Sequence, residues 1–481
     1  MFNVKSQNVL IKGGELMEQP LVQNVEHSIN TPKKLRLKEK VAYGLGDVGN
    51  NFMLDLGQIY LLKFYTDALG LPSATAGLVF LITKIWDAFA DITVGTWIDN
   101  RKKIGPKGKF RPFFLYAAIP LALITIVSFT NPDFSITGKI IWAYVTYMAF
   151  GTIYSISNIP YGSMVPAMTK DPVERAEMAS FRQAGSNLGL LITTVGFMPI
   201  VLMFNNQSTG YLVAVSIFAF LGVLLQVYCY ANVKERYVYE KPQNTNVKLT
   251  DSYKGLFKNT PLLILCLVNL FTFSAFNVKL AVQVYFCQYV LKNVAIVPYM
   301  GFFSIGCVFI GVAMVPFMVK KIGKKSTYIL GCAIWAVGDI LAYVFADNAV
   351  IFITLACFAF FGSSFVNSLN WALVSDAVEY GEWKTGNRSE GVVYSFFTFF
   401  RKLSQALAGF IPGVVLGIVG YVPNAVQSAN VLEGIRGLMF IYPSALAIAT
   451  IIVMFFFYKL SDEKYNKIVA DLAKSKNRIP M

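Results

Sequence analysis

The segment Leu81–Asn100, LITKIWDAFADITVGTWIDN, constrains this chain most, because it is apolar and helical in period yet carries charges near its middle. Its length and apolar character predict a membrane-spanning helix. Asp87 and Asp91 are four residues apart and share one helical face, and Lys84 lies on nearly the same face. Charged groups at membrane depth are costly and mark polar pathways or ion sites. The segment therefore predicts a polar pathway or an ion site; the alternative is a Lys–Asp pair that only fixes helix packing.

Composition places the whole chain in the same class. Of its 481 residues 55% are hydrophobic and 14% charged, which is typical of a polytopic helical membrane protein. The net charge of +15 sits in short loops between apolar stretches, so we exclude nucleic-acid binding. The six cysteines are isolated in apolar stretches and the single histidine, His27, lies in a polar tail. These features exclude a disulfide framework and a histidine-based metal site or catalytic triad, and we expect no enzyme.

The pattern of apolar segments predicts an all-α integral membrane protein with twelve transmembrane helices in two six-helix halves. We expect a cytoplasmic N-terminal tail over 1–36, an N-terminal half over 37–233 and a central cytoplasmic loop over 234–258. A C-terminal half over 259–460 and a cytoplasmic C-terminal tail over 461–481 complete the chain. The spans are predicted near 41–65, 73–97, 112–130, 138–166, 180–204, 210–232, 260–290, 296–319, 326–345, 349–374, 391–419 and 435–459.

The distribution of basic residues predicts the orientation. The stretch Arg101–Arg111 carries six basic residues, and a second cluster includes Lys320, Lys321, Lys324 and Lys325. By the positive-inside rule both termini are cytoplasmic in a multi-pass protein of a bacterial-type cell membrane. The basic loop after span 2 recurs after span 8, which predicts two repeats with a binding site between them near the midplane. The alternative is that every cytoplasmic loop is basic without any duplication.

Polar side chains inside the spans predict the lining of a cavity. They concentrate on spans 1, 2, 4, 5, 7, 10 and 11, although a single one is often only a contact between helices. Sugars need paired donors and acceptors and an aromatic face, for which Tyr154, Trp371 and Trp86 are candidates. The predicted substrate-binding residues are Asn51, Asp55, Tyr154, Asn158, Arg182, Asn277, Lys279, Asn367, Trp371 and Thr398. Arg401 also lies in span 11, and Asp339 in span 9 has no assigned role.

Several motifs resemble one transporter family along nearly the whole chain from about residue 40 to 460. They include KVAYGLGDVGNNF, KIWDAFAD, GKFRPF, NIPYGSMVPAMT, SDAVEYGEWKTGNRSEGVVYS and FRKLSQALAGF. The WDAxxD block with GKFRP and the YGEWKTGxRxEG block are specific in combination. On these residues the chain is identified as a member of the glycoside–pentoside–hexuronide:cation symporters, the group of the melibiose permease, within the major facilitator fold.

The resemblance implies roles for individual residues. Asp87 and Asp91 correspond to the family's cation-binding carboxylates and would be metal ligands only if the coupling ion is sodium. Lys402 corresponds to a lysine near that site, and Arg182 to an arginine that helps hold the sugar. The predicted cation-binding set is Asp87, Asp91, Lys402, Ser155 and Asp55.

The chain also departs from the melibiose permease. Asn51 and Asn158 stand where that permease has sugar-binding aspartates, and Gly162 and Asn367 stand in place of tryptophans. Asp55 and Lys279 have no counterpart there.

The resemblance therefore implies a secondary active transporter that imports a sugar or glycoside by symport with a cation through alternating access. With asparagine at 51 and 158, a proton is favoured over sodium, and a pentoside such as a xyloside over a galactoside. We expect no cofactor, a functional monomer, and membrane lipid as the only other partner. The alternative is a symporter for a lysolipid or other amphiphile of the same fold.

Overall fold

Twelve long helices build the part of the chain that the structure, a computed structural model, describes: residues 34–99, 108–169, 171–237, 256–386 and 390–476. They confirm the predicted all-α fold with twelve transmembrane helices. A shorter helix, α13, follows them. The bounds are α1 Leu37–Ile59, α2 Ser73–Asp99, α3 Arg111–Ser128, α4 Ile136–Met168, α5 Pro172–Leu202, α6 Gln207–Asn232, α7 Thr260–Tyr285, α8 Ile296–Ile322, α9 Lys324–Phe345, α10 Ala349–Thr385, α11 Glu390–Ile418, α12 Ala429–Phe456 and α13 Asp462–Lys476.

Length and composition alone qualify nine of the described helices as membrane spans. The long helices outside that set are α1, α2 and α11, which carry the charges singled out in the sequence. Charged groups in a membrane helix are tolerated when they face the interior of a bundle. The three helices that look least like membrane spans are therefore the ones around which the polar interior is built.

Helix α10 is longer than its apolar segment predicts. The span was expected to end at residue 374 and to be followed by a loop, but the helix continues to Thr385. It ends at Gly386, whose φ of 73° lies in the left-handed region that favours glycine, and whose N–H donates to the Glu382 carbonyl at 2.8 Å. The predicted loop is wrong because loss of hydrophobicity marks where a helix leaves the membrane, not where it ends. The extension packs against α13.

Several predicted segments lie outside the described residues. These are positions 1–33 of the tail, 101–107 of the basic loop, 238–255 of the central loop, 387–389 and 477–481.

The helices pack as two sets, α1–α6 and α7–α12. Between the sets, the most extensive contact joins α2 to α11, followed by α5 with α8. Glycines allow the first contact: a Cβ added at Gly77 of α2 would lie 2.9 Å from the Phe410 carbonyl oxygen of α11. Gly413 faces Gly77 with the same lack of space. Small residues of this kind let membrane helices approach closely.

The opening helices of the two sets end in the same way. After α1 the chain forms a π-turn over Phe64–Ala68, and after α7 it forms another over Phe286–Val290. In each, the residue after the turn donates to the carbonyl of its first residue, at 2.9 Å and 3.1 Å respectively. We name the end of the bundle where α1 begins and α12 ends the terminal end, and the opposite end, which holds these turns, the distal end.

A buried ion pair closes the distal end. Asp67 accepts a hydrogen bond from Lys63 Nζ at 2.6 Å, and both side chains are fully buried. Tyr421 Oη, from the link between α11 and α12, donates to Asp67 Oδ1 at 2.6 Å. Tyr289 Oη, after α7, donates to Asp67 Oδ2 at 3.1 Å. These residues, with Thr66, form what we call the distal cluster, which ties the first set of helices to the second.

Candidate substrate and cation site

Asp87 of α2 lies against α4 at the centre of the bundle. Its Oδ2 accepts a hydrogen bond from Lys84 Nζ at 2.9 Å. A Cβ at Gly151 of α4 would overlap the carboxylate, so glycine there makes room for it. The Lys84 ammonium lies 5.0 Å from the centre of the Tyr147 ring. Asp87 Oδ1 is buried and has no hydrogen-bond partner among the described residues. That oxygen, packed against Gly151, is a candidate position for a proton or a small cation.

Asp91, one turn further along α2, joins the two sets of helices. It accepts hydrogen bonds from Ser155 of α4 and from Lys402 of α11. The Lys402 and Asp91 side chains are 24% and 29% exposed. A single lysine cannot neutralise Asp87 and Asp91, but Lys402 supplies the second positive charge. The site therefore consists of two Lys–Asp pairs with no net charge, and one of these pairs spans the interface between the sets.

A second polar group surrounds Arg182 of α5. Arg182 donates from Nε to Asp47 Oδ1 at 3.2 Å and from Nη2 to Asn158 Oδ1 at 2.9 Å. Asn51 donates to Asp47 Oδ2 at 3.1 Å. The structure thus brings together three predicted substrate residues, Asn51, Asn158 and Arg182. The Arg182 side chain remains 34% exposed, so the group is accessible to a ligand.

Asp47 was missed in the sequence analysis. It lies four residues before Asn51 and eight before Asp55, so all three share one face of α1. This position could have been predicted from the sequence, because Asp47 adds a carboxylate to the helical face that already carried Asn51 and Asp55.

The second set of helices contributes aromatic and cationic side chains. The Cζ atom of Arg401 lies 4.4 Å from the centre of the Phe273 ring and 5.6 Å from that of Trp371. Trp371 also stacks on Tyr394, with ring centres 6.1 Å apart. The predicted substrate residues Asn367 and Thr398 are half-buried. Tyr154 in the first set interacts electrostatically with Asp47 and Arg182.

Two predicted substrate residues, Lys279 and Asn277, are held elsewhere. Lys279 of α7 is buried and donates to Asp339 of α9, which also accepts from Trp335 Nε1 at 2.9 Å. This pairing accounts for Asp339, which had no assigned role. Asn277 donates to the Phe273 carbonyl of its own helix at 2.7 Å. Their part in substrate binding stays a prediction.

Asp55 is also set apart from the two Lys–Asp pairs. It is buried on α1, its Oδ2 has no partner among the described residues, and it interacts electrostatically with Asp47. Its roles in cation and substrate binding stay predictions.

Comparison with known proteins assigns the fold and the family. The sequence matches the MFS/sugar transport protein family over residues 42–462. The chain belongs to this family. It is 53% identical over 450 residues to a "Putative 2,3-dihydroxypropane-1-sulfonate exporter" of Escherichia coli (strain K12), covering 92% of this chain and 98% of that protein. It is 51% identical over 445 residues to a "Putative sulfoquinovose importer" of the same organism, covering 92% and 95%.

The solved structure of the nucleoside transporter NupG has the same fold, with a TM-score of 0.61 at 14% identity, covering 87% of this chain and 99% of that one. The predicted family resemblance and the major facilitator fold are therefore confirmed. The chain is a cation-coupled transporter and a multi-pass bacterial membrane protein, not an enzyme.

Proposed function

We propose that this protein takes up a small anionic sugar derivative of the sulfosugar class by symport with a proton or a sodium ion. The observation that carries the mechanism is the Asp91–Lys402 ion pair between the two sets of helices. The substrate class rests on the two relatives named for sulfoquinovose and 2,3-dihydroxypropane-1-sulfonate. It replaces the pentoside or galactoside expected from the sequence.

Charge balance explains how the cation acts. Asp87, Asp91, Lys84 and Lys402 together carry no net charge, so an added cation leaves one positive charge in excess. A cation that binds Asp91 competes with the Lys402 ammonium and releases the contact between the sets. An anionic substrate then offsets the excess charge, which makes its binding more favourable when the cation is present. Such mutual enhancement is the coupling free energy that symport requires.

Alternating access relies on the same contacts. The distal cluster closes one end of the bundle, while the partly exposed Arg182 and Lys402 lie nearer the terminal end. Rocking of the two sets about a site between them would open the distal end and close the other. By the positive-inside rule we place the terminal end, with both termini, in the cytoplasm. On this orientation, closure of the distal end and exposure of Arg182 and Lys402 support a state accessible from the cytoplasm.

Uptake into proteoliposomes tests this function. Sulfoquinovose, 2,3-dihydroxypropane-1-sulfonate, a xyloside and a galactoside are each offered with an inward proton gradient, with an inward sodium gradient and with neither. We expect the sulfonates to accumulate under one gradient and a lysolipid not to compete. Accumulation of the xyloside or galactoside without transport of either sulfonate would overturn the substrate class. Competition by the lysolipid would favour an amphiphile transporter.

A further inference from the structure

Arg401 of α11 is a cationic side chain in the middle of a membrane helix. It is half-buried, and it forms no hydrogen bond or ion pair with any residue in the described part of the chain. Burying an unpaired charge is unfavourable, and a guanidinium offers five N–H donors. Among the described residues the guanidinium N–H groups have no acceptor, so they are open to one that a ligand supplies.

The guanidinium is nonetheless held in place. Its Cζ atom lies 4.4 Å from the Phe273 ring centre and 5.6 Å from that of Trp371. Aromatic rings stabilise an arginine over their faces while leaving the N–H groups at its edge free to donate. Arg401 is therefore positioned for a ligand before that ligand arrives, which lowers the entropy cost of binding.

Arg401 also lies within electrostatic range of the polar group around Arg182. Arg401 interacts electrostatically with Arg182, Asp47 and Tyr154 of the first helix set. Asp47 already accepts hydrogen bonds from Arg182 and Asn51. Asp47 is thus already paired with Arg182, and the described residues show no ion pair between Asp47 and Arg401.

The next residue in the chain, Lys402, forms an ion pair, whereas Arg401 does not within the described residues. Lys402 donates to Asp91, whereas Arg401, one position earlier, lies against Phe273 and Trp371. Adjacent residues on a helix do not face the same way. Helix α11 thus offers one cation to the cation site and another, in the same turn, to the space beside Arg182.

We propose that Arg401, held against Phe273 and Trp371, binds the anionic group of the substrate and determines the preference for sulfonates over neutral sugars. This inference rests on the proposed function, because it names the residue that recognises the charge of the proposed substrate. The planar fork of the guanidinium matches the oxygen atoms of a sulfonate, which can accept two parallel hydrogen bonds. Binding there would also place the substrate's negative charge beside the helix turn that holds Lys402.

The test compares binding of sulfoquinovose with binding of quinovose, which lacks the sulfonate, by purified protein. For Arg401→Gln we expect the affinity for sulfoquinovose to fall about 100-fold, as when one partner of a buried charge pair is truncated. Affinity for quinovose should change less than about twofold, since a neutral sugar does not use the charge. Arg401→Lys should lose about tenfold for sulfoquinovose, because it keeps the charge without the fork.

The control is Arg436→Gln, which removes an arginine that pairs with the exposed Asp347 at the distal end. It should leave both affinities unchanged.

If Arg401→Gln binds sulfoquinovose as wild type does, the inference is wrong while the proposed function stands. Equal losses of affinity for sulfoquinovose and quinovose would show that Arg401 has a structural role, and the inference would again be wrong. If wild-type protein binds and transports no sulfonate, the proposed function itself fails. If Arg401→Gln does not fold, Arg401→Lys provides the test: its loss of affinity for sulfoquinovose is compared with its loss of affinity for quinovose.

Discussion

The distal cluster and the Asp91–Lys402 pair contain the same chemistry in different surroundings. In the distal cluster Lys63 and Asp67 are fully buried, and Asp67 accepts further hydrogen bonds from Tyr289 and Tyr421. The Asp91–Lys402 pair is about a quarter exposed, with Ser155 as its other partner. A buried, fully hydrogen-bonded pair is costly to break, whereas a partly exposed pair costs less to break because water reaches its charged groups. One pair thus suits closure of the bundle, and the other suits reversible ion binding.

The largest expected effect on stability comes from Asp67→Asn. It leaves the Lys63 ammonium buried without a counter-charge, which costs about 3–5 kcal/mol. We expect a marked fall in the thermal unfolding midpoint of the purified protein. Asp133→Asn, an exposed carboxylate between α3 and α4, is the matched control and should change nothing. A midpoint equal to that of the wild type would mean that the distal cluster does not hold the two helix sets together.

Tyr421→Phe should have an intermediate effect. It removes the hydroxyl that donates to Asp67 Oδ1 at 2.6 Å and leaves the Lys63–Asp67 pair in place. Losing one hydrogen bond to a buried charged group costs about 1–3 kcal/mol. The thermal midpoint should fall between those of Asp67→Asn and the wild type. A loss as large as that of Asp67→Asn would show that the tyrosine, and not the ion pair, closes this end.

Asp91→Asn should lower stability less than Asp67→Asn does, since the Asp91–Lys402 pair is about a quarter exposed and the Lys63–Asp67 pair is fully buried. Its effect on transport should be large, because an amide binds neither a proton nor a metal ion strongly. We expect loss of accumulation against a gradient, with substrate exchange partly retained, in proteoliposomes. Asp87→Asn should lose accumulation in the same way, but its stability should fall further, because the Lys84 and Asp87 side chains are buried. Accumulation that persists in both variants would exclude these carboxylates as the cation site.

Asn158→Ala should have the smallest effect on stability of these variants. Its main effect should be weaker binding of the substrate. It removes the acceptor of the Arg182 Nη2 hydrogen bond, while Arg182 keeps its bond to Asp47. We expect about tenfold weaker substrate binding, equivalent to about 1.4 kcal/mol, and unchanged cation binding. Titration calorimetry with substrate and with cation separates the two. Wild-type affinity for every transported substrate would make this face of α4 a packing surface.

The sequence predicts those features of this protein that depend on charged residues in apolar segments, which are rare, and on the period of a helix. Charges in apolar segments are conspicuous, and the spacing of Asp87 and Asp91 places them on one face of α2. Pairings between distant helices could not be predicted from period alone. Lys279 and Asp339 were each noted separately, but their contact depends on which faces of α7 and α9 meet in the bundle.

The distal cluster escaped prediction for a related reason. Span 1 was expected to end near residue 65, whereas the chain continues through a π-turn that places Asp67 inside the bundle. A lysine and an aspartate at the end of an apolar segment usually indicate the membrane surface. Their burial depends on tyrosines more than 200 residues away in the chain, Tyr289 and Tyr421.

The most direct test of competition between the coupling cation and Lys402 is the cation affinity of Lys402→Met. Methionine removes the ammonium that occupies Asp91 and keeps a flexible apolar side chain of similar length. The affinity of the purified protein for its coupling cation, a proton or sodium, is measured by titration calorimetry beside wild type and the control Lys325→Met. We predict that Lys402→Met binds the cation more tightly, by about tenfold or more, because its competitor is gone, yet no longer accumulates substrate. Unchanged or weaker cation binding in Lys402→Met would contradict the account.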